Sequence, residues 1–236
     1  MPTLLNGKRD LFMASSGRQR AQIENRLPVA RDGLIFILLG IIISVILYYM
    51  GFVTAAILMV IVTLFIIYFF RDPVRTCDAP DNAVISPADG SILEVRQLGE
   101  GDSPLGKNTI KISIFMSLFS VHVNRIPSKG RISEIVYNNG RFFSANLDKA
   151  SEYNENNRIT LETDKGHKII FIQIAGLIAR RIVCWINEMD YVKAGQRFGL
   201  IRFGSRLDIY IPSESRISIK VRDRVKAGKT IIGYLP

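Results

Sequence analysis

The chain has 236 residues, 48% of them hydrophobic, and a formal net charge of +10. That length allows one large domain or a domain plus a membrane segment, and the basic balance points to an anionic partner, with no aromatic-rich basic repeat to favour nucleic acid over lipid. The only histidines are His122 and His167, and Cys77 and Cys184 lie far apart, so a three-histidine metal centre within one chain is excluded and metal-ligand spacing is missing.

Residues 1–33 are polar and basic, and no small-residue cleavage site follows the apolar run behind them, so a signal peptide is not predicted. Leu34 to Phe70 carries no charge. One helix of that length would be about 55 Å long against roughly 30 Å of hydrocarbon, so a helical hairpin over 34–70 is predicted. Its break is placed at Tyr48-Tyr49-Met50-Gly51-Phe52, where aromatics suit an interface and glycine can turn the chain. Arg26 and Arg31 precede the hairpin and Arg71 and Arg75 follow it. Positive flanks favour the cytoplasmic side, so the expected location is the cell membrane with the remaining domain on its cytoplasmic face. Free cysteines agree with a reducing compartment.

From Arg71 onward the pattern becomes short alternating runs broken by Gly, Pro, Asn and Asp. Strands are predicted at Ala83–Ser86, Ser91–Arg96, Thr109–Phe115, Val121–Ile126, Arg131–Tyr137, Arg158–Thr163, His167–Ile174, Ile178–Cys184, Leu207–Ile211, Arg216–Val221 and Thr230–Tyr234. Asp148–Asn156 reads as a polar helix or a loop. So many short strands predict a mainly β fold, a barrel-sandwich-like domain over 71–236. Val192-Lys193-Ala194-Gly195 recurs as Val225-Lys226-Ala227-Gly228, two turns like those of barrel-sandwich hybrid domains.

Three places could carry chemistry. His122 shares a predicted strand face with Asn124 and Ile126, whereas His167 follows the turn Asp164-Lys165-Gly166 and is expected to be exposed. His122 is therefore the better general acid or base, although a hydrogen-bonded structural role is commoner for a lone strand histidine. Asp89 precedes Gly90 in a turn, where aspartate is ordinary. Gly204-Ser205 lies between two β-prone runs, Gln196–Ile201 and Leu207–Ile211, and on its own reads as a tight turn.

Taken in order, several segments change that reading. They are Arg71-Asp72-Pro73 after the apolar hairpin, Ile85-Ser86-Pro87-Ala88-Asp89-Gly90, Phe115-Met116 with Val121-His122-Val123-Asn124-Arg125-Ile126-Pro127, Asn146 to Glu152, Gln173-Ile174-Ala175-Gly176 with Ala179-Arg180-Arg181-Ile182, and Gly195 to Gly199 through Phe203-Gly204-Ser205-Arg206. Together they resemble the phosphatidylserine decarboxylase proenzymes, in their short bacterial/archaeal branch, over roughly residues 34–236.

The resemblance implies self-cleavage between Gly204 and Ser205 into a β chain 1–204 and an α chain 205–236. Ser205 becomes a covalent pyruvoyl group, the electron sink on which a serine-headgroup lipid loses CO2, and no metal or diffusible cofactor is needed. Glycine at 204 would permit strain and close approach at the attacked carbonyl. Asp89 and His122 would assist Ser205, and Asn124 and Arg125 would bind substrate. The implied substrate is phosphatidylserine or its archaeal ether-linked equivalent. The implied partners are that aminophospholipid, the membrane, the two chains of one precursor and, optionally, further copies of the protein, with no nucleic acid. Longer members carry His-x-x-His, and here Arg125 stands where their second histidine falls. Two other classes compete: a non-enzymatic membrane-anchored β adaptor, which leaves the linked motifs unexplained, and a serine hydrolase using Ser205, which lacks the Gly-x-Ser-x-Gly elbow.

Overall fold

The computed structural model describes residues 23–25, 27–140, 154–176, 182–202 and 205–236. Gly204, most of the Asp148–Asn156 segment and the first half of the Ile178–Cys184 strand lie outside the described residues. A 3-10 turn, Arg31–Gly33, leads into α1 (Leu34–Tyr49), and α2 (Val53–Phe69) returns. The break falls at the expected place, with Gly51 at φ 84. The two arms meet along Gly40, Ser44, Ala56 and Thr63, the small or hydroxylated positions they bury. Seams of small residues are how helices approach where solvent gives no hydrophobic drive. The rest of each arm shows Ile, Leu, Val and Phe outward. The helical stretch Arg31–Tyr49 is long and apolar enough to cross a membrane.

The hairpin is tied down at its base. Val29 bridges Arg71, Ala30 N–H donates to Phe70 O at 2.7 Å, and Asp72 N–H donates to Pro28 O at 2.7 Å. The buried Asp72 carboxylate takes Arg197 Nε at 2.8–2.9 Å and Asn25 Nδ2 at 3.1 Å. Ala30, Phe69 and Phe70 join Val121, Val123, Trp185 and Leu200 in a small core of their own. The last turn of α2 is thus built into the β domain.

That domain is mainly β. Its large sheet is antiparallel and curls into a half-barrel, in the order β13-β2-β3-β11-β7-β6-β5-β9. Its central members are β2 (Gly90–Leu98), β3 (Thr109–Met116), β11 (Ser205–Pro212), β7 (Lys168–Ala175), β6 (Asn156–Thr163) and β5 (Gly130–Asn138), with the short β13 (Arg224–Val225) and β9 (Tyr191–Val192) at its ends. Two three-stranded sheets face the core: β1 (Ala83–Ile85), β14 (Ile231–Tyr234) and β12 (Arg216–Ile217), and β4 (Val123–Arg125), β10 (Arg197–Ile201) and β8 (Ile182–Cys184). Ile112, Ile114, Ile159, Leu161, Phe171, Phe198, Leu207 and Ile209 fill the space between.

Three expectations shift. The strand predicted from Val121 to Ile126 is only β4, so His122 precedes it instead of alternating along it. The Arg216–Val221 run stops at Ile217, because Lys220–Asp223 turns the chain into β13. Ser205 is the first residue of a fully buried strand and not part of a turn, because β11 is laddered on both sides from its first residue. The repeated Val-Lys-Ala-Gly turns meet: Gly195 and Gly228 both have positive φ, and a Cβ on Gly228 would lie 3.6 Å from the Gly195 Cα. Glycine is needed at both, for the left-handed backbone and for the close approach.

Candidate active site

Ser205 pairs with Met116 on β3 and with Ala175 on β7. Side chains alternate along β11, so Ser205 points inward with Leu207, Ile209 and Ile211 while Arg206, Asp208 and Tyr210 point outward. Ser205 is fully buried, and its hydroxyl donates to Met116 Sδ at 3.4 Å. A thioether is a weak acceptor, so this bond holds the hydroxyl loosely.

The same sulfur receives Asn124 Nδ2 at 3.6 Å. Asn124 Oδ1 in turn accepts from Gln173 Nε2 at 2.9 Å, and Gln173 Oε1 accepts from Asn157 Nδ2 at 3.0 Å. A column of buried amides therefore runs from β6 through β7 to β4 and ends beside Ser205. Asn124 belongs to the sequence-predicted set. Gln173, Asn157 and Met116 do not, although a lone glutamine inside the apolar run Ile169–Ala175 is a visible anomaly in a strand that buries both faces.

His122 is fully buried, and its main-chain carbonyl accepts from Ile201 N–H at 3.4 Å, at the end of β10. Its ring lies on Phe69 of α2, with centroids 4.1 Å apart. Among the described residues neither ring nitrogen makes a hydrogen bond. Burial lowers its pKa to about 4, with the Ser120 backbone pulling partly the other way, so the imidazole is neutral at pH 7.

Asp89 sits elsewhere. Its carboxylate forms a paired contact with Arg75, at 2.5 and 2.8 Å, and accepts Ala227 N–H at 2.7 Å. It acts on His122 only as a distant charge. Arg125 is likewise engaged with the protein: Nη1 donates to Gly195 O and Nη2 to Pro73 O, both at 2.9 Å, with Asp72 at 3.5 Å. Asp89 thus clamps the 225–228 turn and Arg125 the 192–195 turn, the two repeats that meet at their glycines. Of the sequence-predicted residues, the structure brings Asn124 to Ser205 and directs the functional groups of Asp89 and Arg125 into the scaffold around them. His167 follows its predicted turn and is half-buried.

On the outer face Arg206 Nε and Nη2 bond the Asp208 carboxylate at 2.6 and 3.0 Å, and Nη2 also reaches Ser113 Oγ at 2.9 Å. Lys111 lies 3.8 Å from Asp208 and 3.3 Å from Glu94. All of this charge stands across the strand from Ser205.

A half-barrel sheet with a buried serine at the head of a central strand, an amide column that ends on the same sulfur as that serine, and a buried imidazole under the last turn of the hairpin make up the candidate site of this β domain. The family model described as phosphatidylserine decarboxylase matches residues 62–233, and the chain belongs to that family. It is 44% identical over 213 residues to the phosphatidylserine decarboxylase proenzyme of Desulfotalea psychrophila, covering 90% of this chain and 99% of that one. It is 46% identical over 206 residues to the protein of the same name from Syntrophus aciditrophicus, covering 87% and 96%. With the one from Rickettsia akari it shares 51% over 178 residues, covering 73% and 75%.

Proposed function

We propose that this chain is a proenzyme that cuts itself between Gly204 and Ser205 and then decarboxylates phosphatidylserine to phosphatidylethanolamine and CO2. The observation that carries the reading is the setting of Ser205, buried at the head of β11 with its hydroxyl on a thioether, in a chain of this family.

The chemistry of scission follows from the residue. Ser205 Oγ adds to the carbonyl carbon that precedes it; the C–O bond forms, the C–N bond breaks, and the hydroxyl proton passes to the Ser205 nitrogen. Loss of the Ser205 Cα proton then expels the carboxylate of residue 204 from Cβ. Water finally replaces the nitrogen, which leaves as ammonia, and the α chain begins with a pyruvoyl group. The surroundings suit such a group, because Met116, Ala175 and the Asn124 amide are uncharged and non-nucleophilic. When formed, it supplies the electron sink for decarboxylation. His122, neutral at pH 7, can accept a proton and return it to the α-carbon of the product.

The hairpin seats the enzyme on its substrate. Its lipid-like exterior, and the basic residues Arg31 and Arg71 at its base, favour insertion from the cytoplasmic face. Arms of 16 and 17 residues span about 24–26 Å, so the hairpin sits tilted or in a locally thinned bilayer. Phe69 belongs to α2 and also covers His122, which supports a site close to the membrane surface.

Mass spectrometry of the purified protein tests the proposal. The expected products are a fragment ending at residue 204 and one starting at 205 with a blocked N-terminus. Ser205→Ala should stay uncut and release no CO2 from phosphatidylserine vesicles. An intact chain with full activity would overturn the proposal.

A further inference from the structure

The amide column is more than a satisfied polar pair. Asn157, Gln173 and Asn124 are at most 1% exposed, yet each stands in or against the apolar core. Burying three amides is costly unless every group is matched, so a column at this place demands a reason. The fold makes room for it. A Cβ on Gly199 of β10 would lie 2.3 Å from Val183 O and 3.0 Å from Gln173 Nε2, so glycine there admits both the neighbouring strand and the Gln173 side chain that crosses from the large sheet to β4.

The hydrogen bonds also have a direction. Gln173 takes the Asn157 NH2 on its oxygen, so its own NH2 must face Asn124. That occupies Asn124 Oδ1, so the Asn124 NH2 must face Met116 Sδ, where the Ser205 hydroxyl also points. Two donors thus converge on one weak acceptor. An N–H held on a thioether turns readily to an oxygen on which negative charge develops, and a donor already in place in a dry site acts without reorganisation.

We infer that the column Asn157–Gln173–Asn124 is a positioning element for self-cleavage, holding the Asn124 N–H toward charge that forms on oxygen beside Ser205. Asn124 makes the contact, and Gln173 and Asn157 act through it. This rests on the proposed scission before Ser205. The bond changes are those already given, and the column adds no atom to them.

The test is the rate at which newly made full-length protein converts to two chains in detergent, followed on gels beside the melting temperature. Asn124→Asp keeps the shape but removes the donor at neutral pH, and should slow conversion roughly 100-fold. A buried carboxyl is easily protonated and then carries an O–H, so conversion should recover as pH falls from 8 to 5. Gln173→Met should slow conversion about tenfold. It should add nothing further in an Asn124→Leu background, because Gln173 acts only through Asn124. Conversion at the wild-type rate in Gln173→Met overturns the inference. So does a slowdown in Asn124→Asp that tracks loss of melting temperature and shows no recovery at low pH. If the wild-type chain itself never converts, the scission reading fails instead, and the two failures are distinct.

Discussion

The two faces of β11 carry opposite chemistry one residue apart. Inward, Ser205 meets a thioether and an alanine, and the thioether is shared with the Asn124 amide. Outward, Arg206 and Asp208 form a buried ion pair reinforced by Ser113 and Lys111. The difference separates two tasks. On the proposed scission, a hydroxyl that attacks its own backbone should not be held by a strong acceptor, and a proton carrier works best in surroundings that leave it neutral. On the same proposal β11 becomes a chain terminus when the bond before it breaks and then needs a separate anchor, which the outer face supplies without touching the inner.

The largest effect should come from breaking that anchor. Removing one partner of a buried pair costs about 3–5 kcal/mol, because the other charge is left stranded. Asp208→Ala should therefore lower the melting temperature by roughly 10 °C. Replacing both, as Arg206→Met with Asp208→Leu, should recover most of the loss, since Lys111 keeps Glu94 at 3.3 Å. Equal damage in the single and double variants, read by thermal unfolding in detergent, would mean that the outer pair is not an independent anchor.

How much of this could be read from the sequence follows from how far apart the partners lie. The hairpin break at Gly51 and the β character after Arg71 were legible, because both rest on local period and turn chemistry. Ser205 stood out through ordered motifs, but its place in a strand did not. The turn preference of Gly-Ser is local, whereas the ladder to Met116 and Ala175 is set by strands remote in the chain. The amide column was hidden for the same reason: Gln173 finds Asn157 at a separation of 16 residues and Asn124 at 49. Asp89 and Arg125 drew attention through family motifs. Their clamping contacts depend on two turns meeting at Gly195 and Gly228, which no spacing encodes. Strands of two residues, such as β9 and β13, are too short to leave a periodic signal.

His122 extends the neutral side of the comparison, and pH can break it. Its folded pKa is about 4, below the unfolded value near 6.5. The unfolded chain thus binds the extra proton first as pH falls. The stability that a neutral His122 provides is complete above about pH 6.5 and lost progressively toward pH 4, by about 3 kcal/mol in total. His122→Phe cannot titrate, so its unfolding midpoint should fall less between pH 7 and 4.5 than that of the wild type. Identical pH slopes would show that the imidazole is already charged, or solvated, in the folded protein.

The smallest effect sharpens the contrast most. Met116→Leu nearly conserves volume and should cost less than about 1.5 kcal/mol. It removes the sulfur shared by Ser205 and Asn124 but puts no competitor in its place, so self-cleavage should slow only modestly. Met116→Gln has similar bulk and offers an amide oxygen, a strong acceptor for the Ser205 hydroxyl and the Asn124 N–H. If the inner face works because its acceptor is weak, the glutamine variant should cleave more slowly than the leucine variant at comparable melting temperature. Equal rates would mean that the thioether is merely filling space.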